Sequence, residues 1–115
     1  MFDKEEFKKL ILARKNTDSI DDFAVDIACK KTISYICQND EVFDGFVEYM
    51  KTEMTIDEYI YLSEISNDLS GIHPSLEFVE AYKSLEKKYP KETIEWQINT
   101  FIEDAERLVN YFLEN

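Results

Sequence analysis

Glycine and proline are scarce in this chain of 115 residues, which has two of each. Sandwiches and barrels of β-strands need many such residues in their turns, so the composition favours helices. Two cysteines, Cys29 and Cys37, are too few for a disulfide framework, and their apolar helical surroundings are typical of buried free thiols. No segment approaches 18 consecutive apolar residues, and the first residues lack a signal-peptide pattern. We therefore expect a cytoplasmic, all-α protein.

The sequence is also poor in signs of catalysis. His73 is the only histidine, so a pair of histidines cannot hold a metal ion. A calcium-binding loop, a glycine-rich phosphate loop and a Gly-x-Ser-x-Gly elbow are all missing from the sequence. Carboxylates are abundant, but acid–base catalysis needs two of them held in different environments. The sequence therefore predicts a protein that is not an enzyme, with no catalytic residues, no metal site and no cofactor.

Apolar residues are plentiful and recur at helical spacing. The hydrophobic fraction is 44% and the aromatic fraction 14%, enough for the core of one domain covering residues 1–115. Helix starts are predicted by capping residues, among them Asp3, Asn39 and a capping box from Thr55 to Glu58. Together with apolar periodicity they predict a single compact bundle of about six helices with a long C-terminal helix. The predicted helices cover residues 3–14, 19–38, 41–52, 55–69 and 75–89, and a last one begins at residue 90.

The charge is strongly negative and uneven. Residues 39–82 hold eleven acidic residues and one basic residue, so this segment carries −10 of the net charge of −12. Such a field repels nucleic acid and anionic membranes and speeds association with a basic protein. Acidic surfaces also keep proteins soluble, which is the alternative explanation. The concentration of charge in one segment favours a docking surface.

The predicted helix at residues 55–69 organises this acidic segment. Successive residues of a helix are 100° apart, so one acidic stripe containing a tyrosine spans about 60°, and apolar residues fill most of the rest. Only two residues separate this helix from the preceding one, so we expect antiparallel neighbours whose acidic faces form one surface. The predicted partner-binding residues are Glu41, Asp44, Glu48, Asp57, Tyr61, Glu64 and Asp68. Tyr61 would be the anchor, because tyrosine offers a large, rigid contact area.

Three further residues have specific expectations. Gly45 lies inside a predicted helix, which suggests a close approach by another helix or by a partner. Gly71 is expected to end the central helix in a left-handed conformation. Trp96 is expected to pack under the first helix; the alternatives are a second contact surface or a homodimer, which the sequence does not predict.

The segment Asp57-Glu58-Tyr59-Ile60-Tyr61, with acidic residues on either side, resembles the immunity proteins that bacteria make against their own toxic nucleases. Among these, the helical immunity proteins of contact-dependent growth inhibition systems are closer in size than the colicin type. The resemblance implies tight one-to-one binding of a basic toxin domain, which covers its active site or the surface it needs. The negative charge separately predicts no direct contact with nucleic acid or membrane. The alternative is an acidic helical adaptor, or a regulatory module that binds a subunit of another assembly, with no toxin.

Overall fold

A computed structural model describes residues 1–18 and 20–114, and in this part of the chain it shows eight helices and no strand. The helices are α1 (Lys4–Lys15), α2 (Asp22–Ile36), α3 (Asp40–Thr52), α4 (Ile56–Leu62), α5 (Ser66–Ile72), α6 (Leu76–Lys88), α7 (Pro90–Glu95) and α8 (Ile98–Glu114). The all-α prediction is confirmed, as is the long C-terminal helix, and the expected count of about six was too low. Within these residues, no helix has the length and apolar character needed to cross a membrane.

Polar side chains cap the first three helices. The carboxylate of Asp3 accepts hydrogen bonds from backbone N–H groups in the first turn of α1. The side chain of Asn39 does the same at the start of α3, with an oxygen 2.8 Å from the backbone nitrogen of Val42. At α2 the cap is Asp21, while the expected start at Ser19 lies outside the described residues. Each cap satisfies donors that the first helical turn leaves unpaired.

The chain divides into two units, Met1–Phe46 and Val47–Asn115, and the boundary falls within α3. In the first unit α1 packs against α2. The ring of Phe2 lies 5.9–6.1 Å from the rings of Phe7, Tyr35 and Phe46, measured between centroids. The hydroxyl of Tyr35 also accepts a hydrogen bond of 2.7 Å from the backbone nitrogen of Asp3. These contacts fix the first residues of the chain against the unit's core.

In the second unit α8 packs against α5, α6 and α7. An ion pair between Lys83 and Glu106 joins α6 to α8 at the surface. The fully buried large side chains of this unit include Met50, Met54, Tyr59, Leu62, Leu69, Phe78, Tyr82 and Leu85. Tyrosine hydroxyls in this core need polar partners, which the neighbouring helices supply.

The predicted central helix at residues 55–69 is wrong as one element, because the structure has α4 and α5 with a turn between them. In the turn, the backbone N–H groups of Ser63, Glu64 and Ile65 each donate to a carbonyl three residues earlier. The hydroxyl of Ser63 also donates to the carbonyl oxygen of Ile60, at 2.6 Å. Local bonding of this kind competes with the α-helical pattern and explains the break.

The predicted last helix is also broken. Gln97 has φ of 53°, the only positive φ among the described non-glycine residues, and it separates α7 from α8. A residue in the left-handed backbone conformation cannot continue a right-handed helix. Gly71 was expected in this conformation, but it lies within α5 and has a negative φ. Trp96 is consequently in a turn, with 53% of its surface exposed.

Several apolar residues assigned to inner helix faces by periodicity are at the surface. The exposed fraction is 74% for Phe23, 56% for Leu76, 78% for Ile94 and 45% for Phe112. The first turn of α2 is therefore exposed on the side that carries Phe23. Helical spacing identifies an apolar face but not where the covering element ends.

The two helical glycines should respond oppositely to alanine. A β-carbon at Gly45 would lie 2.5 Å from the β-carbon of Phe2, so the first residues would have to move. The close approach expected at Gly45 is thus made by Phe2, in the segment before α1. A β-carbon at Gly71 would lie 3.9 Å from Phe112, an ordinary contact. We expect Gly45→Ala to lose about 1–3 kcal/mol of unfolding free energy and Gly71→Ala to gain about 0.4–1 kcal/mol.

Urea denaturation followed by circular dichroism would measure both free energies. Phe2→Gly removes the β-carbon that clashes, so the double variant Phe2→Gly with Gly45→Ala should lose less than the sum of the two single variants. Equal stabilisation by both alanine substitutions would contradict the close approach of Phe2 to α3.

Candidate functional site

The three acidic residues predicted on α3 lie on one face of that helix. Glu41, Asp44 and Glu48 are spaced three and four residues apart, and all three are exposed. Glu41 and Asp44 belong to the first unit and Glu48 to the second. A carboxylate oxygen of Glu41 lies 3.3 Å from the amino group of Met1, so this residue has an ion-pair partner within its own chain.

The four residues predicted on the central helix do not form the expected stripe. Asp57 and Tyr61 lie on α4, Glu64 lies in the turn and Asp68 lies on α5. The three acids are exposed and Tyr61 is half-buried. The 60° sector assumed a continuous helix, so that geometry is wrong. A role for these residues in binding a partner stays a prediction.

One acid of the same segment is buried and has a structural role. Glu58 is 4% exposed, and its carboxylate accepts hydrogen bonds from the hydroxyl of Tyr49 at 2.7 Å and from the backbone nitrogen of Thr55 at 2.9 Å. The hydroxyl of Thr55 accepts in return from the backbone nitrogen of Glu58, which completes a capping box. The predicted capping box is confirmed. The hydroxyl of Tyr49 therefore binds Glu58 inside the protein rather than solvent.

Two more tyrosines tie the helices of the second unit together. Thr93 donates its hydroxyl proton to the carbonyl oxygen of Tyr89, so its oxygen accepts from the hydroxyl of Tyr59 at 2.6 Å. The hydroxyl of Tyr82 donates to the hydroxyl oxygen of Ser66 at 3.2 Å. Burial raises the pKa of Tyr59 and of Tyr82, and the hydrogen bonds to Thr93 and Ser66 oppose that shift.

An open cleft of about 550 Å³ lies beside Asp57. It is lined by Glu53, Met54, Thr55, Ile56, Asp57, Lys88 and Tyr89. The hydroxyl of Tyr89 donates to the carbonyl oxygen of Met54 at 2.8 Å, which attaches the end of α6 to the connection between α3 and α4. The ammonium group of Lys88 lies 5.3 Å from the centroid of the Tyr89 ring, a distance suited to a cation–π contact.

Sequence reasoning did not place Glu53, Lys88 or Tyr89 beside Asp57. Glu53 is one of the acidic residues of the segment 39–82. Its position just before the helix predicted from residue 55 indicates that it lies near Asp57. Lys88 and Tyr89 are more than 30 residues away along the chain, and only the packing of α6 brings them to the cleft. Asp57 is the one predicted site residue that lines it.

Among the described residues, no group of three or more histidine, cysteine or acidic side chains is placed to hold a metal ion. Cys29 and Cys37 are thiols rather than disulfide partners, and both are half-buried. Burial raises the pKa of the Cys37 thiol to about 11. No protein-family model, curated protein or solved structure matches this chain.

Removing the Glu58 carboxylate should destabilise the second unit. Glu58→Ala would leave a tyrosine hydroxyl and the backbone nitrogen of Thr55 without their acceptor, so we expect a loss of about 2–4 kcal/mol of unfolding free energy. Glu58→Gln keeps one acceptor oxygen and should lose less than half as much. Chemical denaturation of both variants would give the comparison. Equal losses would show that an amide oxygen does not replace the carboxylate as the acceptor, which would contradict the expected difference between the two variants.

Stability should fall above about pH 9. A raised pKa means that the folded protein holds the proton more tightly, so this stability is complete below the unfolded-state pKa and is lost as the pH rises. The ordinary value is 9.0 for the Cys37 thiol and 10.0 for Tyr59 and Tyr82. Urea midpoints between pH 8 and about 11 would measure the slope. Cys37→Ala should reduce this slope in the lower part of the pH range, and Tyr82→Phe should reduce it in the upper part. Unchanged slopes would contradict the conclusion that burial raises these pKa values.

Proposed function

We propose that this chain is an immunity protein that binds a cationic toxin domain, a nuclease, in a one-to-one complex and so neutralises it. The observation that carries the proposal is the exposure of all six predicted acids in a chain of net charge −12. Exposed carboxylates are available to the lysine and arginine side chains with which a nuclease holds phosphates. A chain with this field would itself be repelled by nucleic acid.

The acids and the cleft would contribute differently to such a complex. Exposed charges mainly accelerate association, and contacts shielded from water slow dissociation. The cleft suits a basic side chain of the partner, because Glu53 and Asp57 supply carboxylates and Ile56 supplies apolar surface that is 40% exposed. Lys88, at the same cleft, would favour a carboxylate nearby in the partner. Tyr61 on α4 remains the proposed anchor.

The structural role of Glu58 reduces the number of residues in the segment 57–61 that could contact a partner. Glu58 and Tyr59 belong to the segment that carries the resemblance to immunity proteins, yet both are buried. Their side chains hold α4 in place. The partner-facing part of that segment is therefore Asp57 and Tyr61, with Glu64 and Asp68 beyond them.

Reversing two of the exposed acids should abolish neutralisation. We expect the gene immediately upstream to encode a protein with a basic toxic domain, and we expect cells producing that domain to survive only with this chain. The double variant Asp57→Lys with Asp68→Lys places positive charge against a positive partner and should lose at least about a hundredfold in affinity. Survival in co-expression and titration calorimetry with the purified domain would measure the loss.

The control is Glu95→Lys with Glu103→Lys, which changes the net charge equally at two exposed acids outside the proposed surface. It should retain protection, and circular dichroism should show that both variants are folded. Full protection by the folded Asp57→Lys, Asp68→Lys variant would refute the site. An upstream domain that binds without being toxic would favour the adaptor function instead.

A further inference from the structure

The second unit exposes an apolar patch where α5 passes into α6. We define the junction patch as Ile72, Leu76, Tyr111, Phe112 and Leu113, whose exposed fractions are 45–61%. Ile72 ends α5 and Leu76 begins α6, so the two are four residues apart in a short connection. The ring of Phe112 lies beside Gly71, and the ring of Tyr111 meets that of Phe112 edge to face at 5.3 Å.

The patch exists because the apolar face of α8 extends into the last turn of the helix, where other side chains no longer bury it. Ile98, Ile102, Ala105 and Val109 form the buried face of this helix. Phe112 lies three residues beyond Val109, and Leu113 lies four beyond it, so both continue the same face into the last turn. In that turn both side chains are about half exposed. Large apolar groups gathered at a surface mark a docking site more often than scattered ones do.

The charges nearest Ile72, Leu76 and Phe112 are negative, whereas Arg107, one turn before Tyr111 on α8, is positive and pairs with Asp104. Asp68 lies one turn before Ile72 on α5, and Glu80 lies one turn after Leu76 on α6. Glu77 and Glu114 are the chain neighbours of Leu76 and Leu113, and all four acids are exposed. The sequence contains no lysine or arginine between Lys51 and Lys83 and none after Arg107.

We infer that the junction patch binds an amphipathic, positively charged segment of a protein partner, with apolar residues on Ile72, Leu76 and Phe112 and lysine or arginine residues on the acidic rim. A second copy of this chain would bring its own acidic rim against the first, so like charges disfavour a homodimer through this patch. An anionic membrane is disfavoured by the same charges. The apolar centre with a charged rim is the usual arrangement of a protein interface.

This inference rests on the proposed function and adds to it. The basic partner would be held through Asp68 and the junction patch as well as through the cleft beside Asp57. Apolar contact would supply the slow dissociation that exposed carboxylates alone do not provide.

A peptide of leucine and lysine, patterned as an amphipathic helix and labelled with a fluorophore, tests the patch without knowledge of the partner. Fluorescence anisotropy should show binding to the full chain, weaker at about 0.2 M salt than at about 0.02 M. Two further peptides serve as controls. One replaces leucine by serine and the other replaces lysine by glutamate, and both should bind at least about tenfold more weakly.

Matched variants locate the binding. Ile72→Ser with Leu76→Ser should weaken the peptide about tenfold or more, since both side chains are more than half exposed and the fold should survive. Glu77→Gln with Glu80→Gln should weaken binding at low salt and have less effect at high salt. The controls are Ile94→Ser, which removes another exposed apolar side chain, and Glu95→Gln with Glu103→Gln. Neither control should change the affinity.

Three results would overturn the inference. The first is that the leucine–lysine peptide does not bind, or that the serine–lysine peptide binds equally well. Equal binding would show that charge alone accounts for the affinity. The second is loss of affinity in the control variants as much as in the patch variants. The third is a dimer in sedimentation velocity that Ile72→Ser with Leu76→Ser dissociates, which would make a second copy the occupant.

Protection assays keep this test separate from the proposed function. If the Ile72→Ser, Leu76→Ser variant still protects cells and binds the peptide as the unaltered chain does, the patch assignment fails while the immunity function stands. If the peptide binds at the patch but the upstream domain is neither toxic nor bound, the immunity function fails while the patch assignment stands.

Discussion

The buried carboxylate of Glu58 is the constraint on which the proposed acidic surface of the second unit depends. A buried carboxyl group needs hydrogen-bond partners, and the hydroxyl of Tyr49 and the backbone nitrogen of Thr55 both donate to Oε1 of Glu58. They hold the start of α4 against the end of α3. Asp57, the neighbour of Glu58, therefore has a fixed position at the cleft. The hydroxyls of Tyr59, Tyr82 and Tyr89 extend this polar framework to Thr93, Ser66 and the carbonyl of Met54.

This framework separates the acidic residues into two groups with different roles. Glu58 stabilises the fold, whereas Asp57, Glu64 and Asp68 are exposed on the elements that it positions. A rigid scaffold that presents exposed groups loses little entropy when a partner binds. The net charge of −12 thus includes the buried carboxylate of Glu58 as well as exposed carboxylates, and only the exposed ones are accessible to a basic partner.

Composition and local pattern predict the helical class, the caps at Asp3 and Asn39, and the capping box, because these depend on residues close together in the chain. They do not predict the breaks. At Ser63 the side-chain hydroxyl donates to a backbone carbonyl and competes with the hydrogen bonds of a continuous helix. The spacing of apolar residues carries no information about this competition. Gln97 takes a conformation more usual for glycine.

The site was less predictable than the fold for a related reason. Exposure of the acids follows from their charge. Their predicted arrangement assumed one continuous helix at residues 55–69, which the structure divides into α4 and α5. The cleft beside Asp57 and the junction patch bring together residues distant in sequence, such as Lys88 with Glu53 and Phe112 with Gly71. Helical periodicity assigned Leu76 and Phe112 to inner faces, since it cannot show that the covering helices end before them.

The most direct test of binding through the acidic surface is a titration followed by the amide signals of the isotope-labelled chain in NMR spectra. The titrant is the leucine–lysine amphipathic peptide. If the account holds, chemical-shift changes will concentrate near Asp57, between Asp68 and Glu80, and in the last turn of α8. Changes confined to α1 and α2, or spread evenly over the exposed acids of the whole chain, would contradict it.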